Sequence, residues 1–419
     1  MEKIIVKSVN ELKGEVDIST AKNSVLPIIV ATILCNEKII IKNVPMLEDV
    51  KVLCNLLSEL QCDINYSNIS NNLEINTNNI LPSDSDCKLI RKMRASFLLM
   101  GPMLSRFGYC KISLPGGCNI GSRPIDLHLK GFEALGAKIN TNHGVVEARA
   151  DRLIGNKIYL DFPSVGATEN ILMASVLAEG RTIIENAAEE PEIWDLANFL
   201  NKMGAKVEGA GTGKIIIDGV DTLKGISYTP IFDRIEAGTF MIAAAITNSV
   251  IRINGIINEH VSPLIGKLEE CGVKFITEGS SMIVDGRNIK KTVDIKTMPY
   301  PGFPTDMQPQ MMSLLCMTKG SSMITETVFE NRFMHVQELV RMGANIKIDG
   351  RTAFIEGVNK LTGCQVKATD LRAGAAMILA GIVAEGETEI FDIYHIDRGY
   401  CNIEDKFRKL GVNIERINR

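Results

Sequence analysis

The strongest constraint on this chain is that it repeats. Six segments, "LSELQCDIN", "FEALGAKIN", "LNKMGAKVE", "LEECGVKFI", "LVRMGANIK" and "FRKLGVNIE", each close an amphipathic helical pattern and turn into a strand pattern. The turn falls at Gln61, Gly136, Gly204, Gly272, Gly343 and Gly411, with successive spacings of 75, 68, 68, 71 and 68 residues. Glycine suits a helix C-terminus that ends in the left-handed region, and only the first copy departs, with Gln61. A second marker keeps the same phase: "CNEKIIIKN", "RFGYCKISL", "AEGRTIIEN", "TNSVIRING", "TKGSSMITE" and "AEGETEIFD". Each opens a strand after an almost wholly apolar helix, such as "NSVLPIIVATIL" or "GAAMILAGIVA". A helix that is apolar all round is a buried one.

The unit therefore reads strand, buried helix, strand, surface amphipathic helix, then one or two strands. Repeats of this kind bury their apolar faces only against each other. Six units in two sets of three predict an α/β protein of two similar domains, each with inner helices surrounded by sheet. A length of 419 residues fits two domains.

A net charge of −4 gives no electrostatic footprint for nucleic acid. The N-terminus alternates like a strand and lacks a signal-peptide core, and no apolar run reaches the length of a membrane span. The expectation is a cytoplasmic protein without nucleic-acid or membrane partners. Ten cysteines are scattered singly with no CxxC pair, and the five histidines form no HExxH, so no metal site is expected. His143 in "TNHGVV" reads as a turn residue, and the single Trp194 as a packing residue.

A short polar segment precedes each buried helix: "AKNS" (Lys22, Asn23), "MRAS" (Arg94), "SVGATEN" (Ser164, Thr168), "FDRIEAG" (Asp233, Arg234), "FPTDMQ" (Asp306) and "TDLRAG" (Asp370, Arg372). Helix N-termini suit anions, so helices pointing the same way in each domain predict an anion-binding cleft between the domains. Ser164 and Asp370 are explained by capping alone, whereas Lys22 and Arg94 are poor caps. Arg123, Arg332 and Arg398 lie in surrounding loops, and arginine binds carboxylate and phosphate at two points.

The segment "SLPGGCNIGSRP" places Cys118 among glycines and prolines, while most other cysteines lie in apolar stretches. A structural turn, a phosphate-cradling loop and a mobile lid compete for it. The loop has P-loop glycine spacing but lacks the following Lys-Ser/Thr, and a turn needs no thiol. No acidic residue lies between Lys111 and Ile125, a setting that favours a reactive thiolate beside Arg123. No histidine can be paired with Cys118 from spacing, which leaves a Cys–His hydrolase without support.

In order along the chain, "AKNSVLPI", "MRASFLLMGPMLSRFG", "LPGGCNIGSRPIDLHLKGFEALGA", "PSVGATENI", "DRIEAGTF", "FPTDMQPQ", "TETVFENRFMHV", "TDLRAGAA" and "YHIDRGY" closely resemble the UDP-N-acetylglucosamine 1-carboxyvinyltransferase (MurA) family of enolpyruvyl transferases. The resemblance covers essentially the whole chain. It implies a pair of inside-out α/β barrels, each of three strand-helix-strand-helix-strand units. It also implies domains of residues 22–229 and of 1–21 with 230–419, with the active site in the cleft between them. The implied reaction transfers enolpyruvyl from phosphoenolpyruvate to the 3′-hydroxyl of UDP-N-acetylglucosamine, releasing phosphate by addition and elimination, with no cofactor. That reaction is the first committed step of peptidoglycan synthesis and the target of fosfomycin.

By the same resemblance Asp306 is the candidate base and Cys118 the candidate acid, while Lys22, Asn23, Arg123 and Arg398 hold phosphoenolpyruvate. Lys22 and Arg398 count among the catalytic residues on this ground. Arg94, Arg123, Pro124, Ile125, Asp126, Leu127, Asp306 and Val328 match positions that bind the UDP-sugar, and Arg332, Asp370 and Arg372 match supporting ones. Some members carry lysine where this chain has Phe162. Two rivals stand beside this reading. One is the 3-phosphoshikimate 1-carboxyvinyltransferase relative, which would not be expected to carry "GGCNIGSRP"; the other is a catalytically silent sugar-nucleotide sensor.

Overall fold

The computed structural model describes residues 2–81, 84–85, 94–114 and 125–417. Cys118, Arg123 and Pro124 lie outside the described residues, as does the side chain of Arg94. Among the described residues the strands form six four-stranded sheets. The described residues divide into two compact units, those of 2–19 with 232–417, and those lying between 20 and 231.

In the unit of residues 20–231, the first buried helix is Lys22–Ala31, with nine of its ten residues buried. The second is a 3₁₀ turn, Arg94–Leu99, that runs into the helix Met100–Phe107. The third is Val165–Ser175. Asn170 staples the last two: its amide donates to Phe97 O at 2.9 Å and its oxygen accepts from Gly101 N at 2.7 Å. A Cβ on Gly101 would sit 2.3 Å from Asn170 O, so the helices meet where there is no side chain.

The other unit has the buried helices Arg234–Ile246, Gln308–Met317 and Leu371–Gly381, and the last two pack on each other. In both units the sheets cover helices that carry almost nothing but buried residues. Each unit is an inside-out α/β barrel.

The sheets share one plan. A strand, a buried helix and a second strand form a parallel crossover, as Lys157–Tyr159 does with Arg181–Glu185. The chain then passes through a second helix and returns as a hairpin whose last strand lies antiparallel beside the second, as Lys214–Asp218 does.

Three places depart from pure repetition. Ser227–Tyr228 pairs with Ile39–Ile41, and Glu15–Asp17 pairs with Val250–Asn254, so both junction strands serve sheets far away in sequence. The sixth copy ends after Ile414–Ile417, and Lys3–Lys7 supplies its missing strand between that strand and Glu387–Phe391. The helix Pro191–Met203, expected on the surface, has nine of its 13 residues buried. Its Asp195 is enclosed because it accepts from Tyr228 Oη at 2.6 Å and Ile231 N at 3.1 Å. Trp194 on the same helix is 47% exposed.

The five turn glycines have φ between 93° and 113°, and Gln61 takes φ 68° in their place. A side chain in that region is strained, so Gln61→Gly is expected to raise unfolding free energy by about 1 kcal/mol, read as a higher urea midpoint at unchanged m-value. His143 (φ 52°) and Gly144 (φ 76°) form the two-residue loop of a hairpin, as its sequence implied.

Among the described residues no helix is long and apolar enough to cross a membrane.

Candidate functional site

The polar segments do fall at the starts of the buried helices. Asp233 accepts from Ile235 N at 2.8 Å and Glu236 N at 3.0 Å. Asp370 accepts from Arg372 N at 2.8 Å and Ala373 N at 3.1 Å. Ser164 caps more loosely, accepting from Ala167 N at 3.4 Å. These are N-caps, and each satisfies amide groups that a helix start leaves open. Thr168 turns its hydroxyl to Ala188 N at 3.0 Å.

In the unit of residues 20–231, Lys22 begins its helix and is buried, with Nζ 2.6 Å from Asp49 Oδ2. Asn23 follows, half-buried. Asp49 is itself buried in the first turn of Glu48–Glu59, so it both suits that helix dipole and balances the lysine. Ile125, Asp126 and Leu127 open the helix Asp126–Ala134, with Asp126 exposed in its first turn. Phe162 is 47% exposed and its carbonyl accepts from Ser164 N at 2.7 Å.

The other unit holds the most developed polar cluster. Asp306 sits in the 3₁₀ turn Thr305–Met307, directly before the helix Gln308–Met317. Its Oδ1 accepts from Arg332 Nη2 at 3.1 Å, and its Oδ2 accepts from Arg372 Nε at 3.2 Å and Nη2 at 3.1 Å. Both guanidiniums are 2% exposed, whereas the Asp306 side chain is 27% exposed. Burial works against the charge of Arg372, but Asp306, Tyr400 and Asp233 outweigh it and hold its pKa above the ordinary arginine value. Residues at the starts of all three buried helices of this unit therefore act on one another around Arg372.

Val328 lies just after the strand Ser321–Thr325, with its N–H donating to Glu326 Oε1 at 2.8 Å. Arg398, half-buried, ends the short helix Tyr394–Asp397, and Arg416 engages the neighbouring Asp397 and Glu404. Sequence reasoning missed Asp49, Glu326 and His335. Asp49 is defined by Lys22, and Glu326 in part by Thr297 and Thr305, partners distant in the chain that leave no local signal.

His335 is buried with Nδ1 3.2 Å from Arg332 O. Burial pushes its pKa down to about 4, with Arg332 adding to the effect and Asp370 opposing it. The unfolded residue takes up its proton from about pH 6.5 downward and the folded one only near 4, so this contribution to stability is lost as pH falls across that window. At pH 5 the loss is about 2 kcal/mol relative to neutral pH. His335→Gln is expected to remove that slope in urea unfolding measured at both pH values.

The described cysteines contrast with the expectation for Cys118. Burial pushes the thiols of Cys54, Cys62, Cys110 and Cys316 up to about 12, which keeps them protonated and unreactive. Among the described residues no group of His, Cys, Asp and Glu is arranged to hold a metal ion.

A sequence-family model described as EPSP synthase (3-phosphoshikimate 1-carboxyvinyltransferase) matches residues 6–407. The chain belongs to this enolpyruvyl transferase family. Over 417 residues it is 65% identical to UDP-N-acetylglucosamine 1-carboxyvinyltransferase 1 of Clostridium acetobutylicum, covering 100% of both chains. It is 64% identical to UDP-N-acetylglucosamine 1-carboxyvinyltransferase 2 of Clostridium tetani, again over 100% of both. The crystal structure of the enolpyruvyl transferase NikO from Streptomyces tendae superposes with a TM-score of 0.89 at 24% identity, covering 100% of this chain and 99% of that one. That likeness shows the fold of the enolpyruvyl transferases, two inside-out barrels, in this chain.

Proposed function

We propose that this enolpyruvyl transferase moves the enolpyruvyl group of phosphoenolpyruvate to the 3′-hydroxyl of UDP-N-acetylglucosamine, releasing phosphate, as the first committed step of peptidoglycan synthesis. The observation that carries the acceptor is full-length identity of 64–65% to two relatives named for that activity. The chemistry runs in two stages. In addition, the sugar oxygen bonds to the enol carbon that bears the phosphate, its proton leaves to a base, and the terminal carbon gains a proton from an acid. In elimination, the carbon–oxygen bond to phosphate breaks and the methyl carbon returns a proton, restoring the double bond. The hydroxyl proton ends on phosphate or solvent.

Asp306 accepts the hydroxyl proton. Its carboxylate is held by Arg332 and Arg372, and its side chain stays 27% exposed, which leaves it within reach of a sugar hydroxyl. Cys118 protonates the enol carbon. Lys22, Asn23, Arg123 and Arg398 hold the phosphate and carboxylate, supplying positive charge before the reaction begins. Arg94, Arg123, Pro124, Ile125, Asp126, Leu127, Asp306 and Val328 bind the UDP-sugar. Arg332 and Arg372 orient Asp306, and Asp370 fixes the turn from which Arg372 projects. The enzyme works in the cytoplasm, where both substrates are small molecules.

A second reading takes 3-phosphoshikimate as acceptor, favoured by the description of the matching family model. Phosphate release from phosphoenolpyruvate, followed with each acceptor in turn, separates them. Release with UDP-N-acetylglucosamine is expected, and release only with 3-phosphoshikimate selects the second reading.

A further inference from the structure

The turn after the strand Ser321–Thr325 breaks the repeat. At the equivalent position four other copies turn through a left-handed residue: Asn43 (φ 55°), Asn186 (φ 55°), Gly255 (φ 82°) and Asp392 (φ 58°). Here the residue is Glu326, which is not left-handed and is 1% exposed. Its Oε1 accepts from Thr297 Oγ1 at 2.8 Å, Val328 N at 2.8 Å and Phe329 N at 3.1 Å. Its Oε2 accepts from Thr305 Oγ1 at 2.8 Å. Among the described residues no cation pairs with it. A buried carboxylate is costly to desolvate, and here that cost is offset by four hydrogen bonds to it. What the carboxylate adds is a four-point tie between three segments that no local turn could link.

We propose that Glu326 is a positioning residue for the acceptor: its carboxylate holds the Thr305–Asp306 turn and the Val328–Phe329 backbone in fixed register, so that both meet the sugar nucleotide together. This rests on the reading that Asp306 and Val328 contact the UDP-sugar. Asp306 is then fixed from two sides, by Arg332 and Arg372 on its own carboxylate and by Glu326 through the adjacent Thr305. Hydrogen bonds to charged acceptors are the stronger ones, and sites set within fractions of an ångström depend on such support.

The test is steady-state kinetics with each substrate varied, on wild type, Glu326→Ala, Glu326→Gln and Thr305→Val, with thermal unfolding of each. Glu326→Ala is expected to raise KM for UDP-N-acetylglucosamine by about tenfold or more and that for phosphoenolpyruvate by less than about twofold. Glu326→Gln restores most of the loss, because its amide oxygen still accepts from Val328 and Phe329 and its nitrogen donates to Thr305. Thr305→Val deletes one bond at nearly constant volume and raises the sugar KM by about threefold. Equal effects on both substrates, or unchanged KM values in folded variants, overturn the proposal. If the alanine variant does not fold, an unchanged sugar KM in Thr305→Val overturns it. Absence of turnover by wild type overturns the functional reading, and this inference with it.

Discussion

Replacing Cys118 with alanine is expected to reduce turnover at neutral pH by about 10²-fold or more, the usual contribution of a placed general acid. Binding of UDP-N-acetylglucosamine survives, because the thiol is assigned to the enol carbon rather than to the sugar. Calorimetric titration of the variant with the UDP-sugar checks the second half of this expectation, and wild-type turnover would remove Cys118 from the mechanism. The same assignment predicts that fosfomycin, a small electrophilic epoxide, forms its adduct on Cys118. The thiols of half-buried Cys54 and of buried Cys62, Cys110 and Cys316, held near 12, stay unlabelled. Peptide mass mapping that finds the adduct elsewhere contradicts it.

Asp306→Ala is expected to fail in two separable ways. Loss of the proton acceptor lowers kcat by about 10²–10⁴-fold while substrate affinity changes less. Loss of the carboxylate also strips Arg332 and Arg372, whose side chains are both 2% exposed, of the partner they share. Breaking a buried pair from one side costs about 3–5 kcal/mol, so a large drop in Tm accompanies the kinetic defect. Asp306→Asn keeps the shape and one accepting oxygen, and should recover part of the stability without recovering the rate. A pure affinity defect in the folded variant would assign Asp306 to binding alone.

These outcomes depend on contacts that the sequence carries unevenly. The repeat and its buried helices were legible because their signals are local: apolar runs with no polar face, and a glycine where each helix ends. Gln61 shows that the left-handed geometry belongs to the repeat itself, since it persists where the glycine does not. Caps were legible for the same reason, with Ser164, Asp233 and Asp370 bonding amides two or three residues ahead.

Asp306 meets Arg332, 26 residues on, through the folding of its own repeat, and Arg372, 66 residues on, through the packing of that repeat on the next. Spacing along a single unit holds no trace of the second contact. The closing of the sixth sheet by Lys3–Lys7 is equally non-local. The burial of Asp195 in the helix Pro191–Met203 is non-local too, since its partners Tyr228 and Ile231 lie in a later segment. Glu326 directly follows a strand, and its four partners are what distinguish it.

Mass spectrometry of the product, after incubation of the protein with phosphoenolpyruvate and an equimolar mixture of UDP-N-acetylglucosamine and 3-phosphoshikimate, tests the central claim most directly. The account predicts an enolpyruvyl ether on the 3′-oxygen of the UDP-sugar, formed in step with free phosphate, and unmodified 3-phosphoshikimate. Enolpyruvyl found on 3-phosphoshikimate instead, or consumption of neither acceptor by the folded protein, would contradict it.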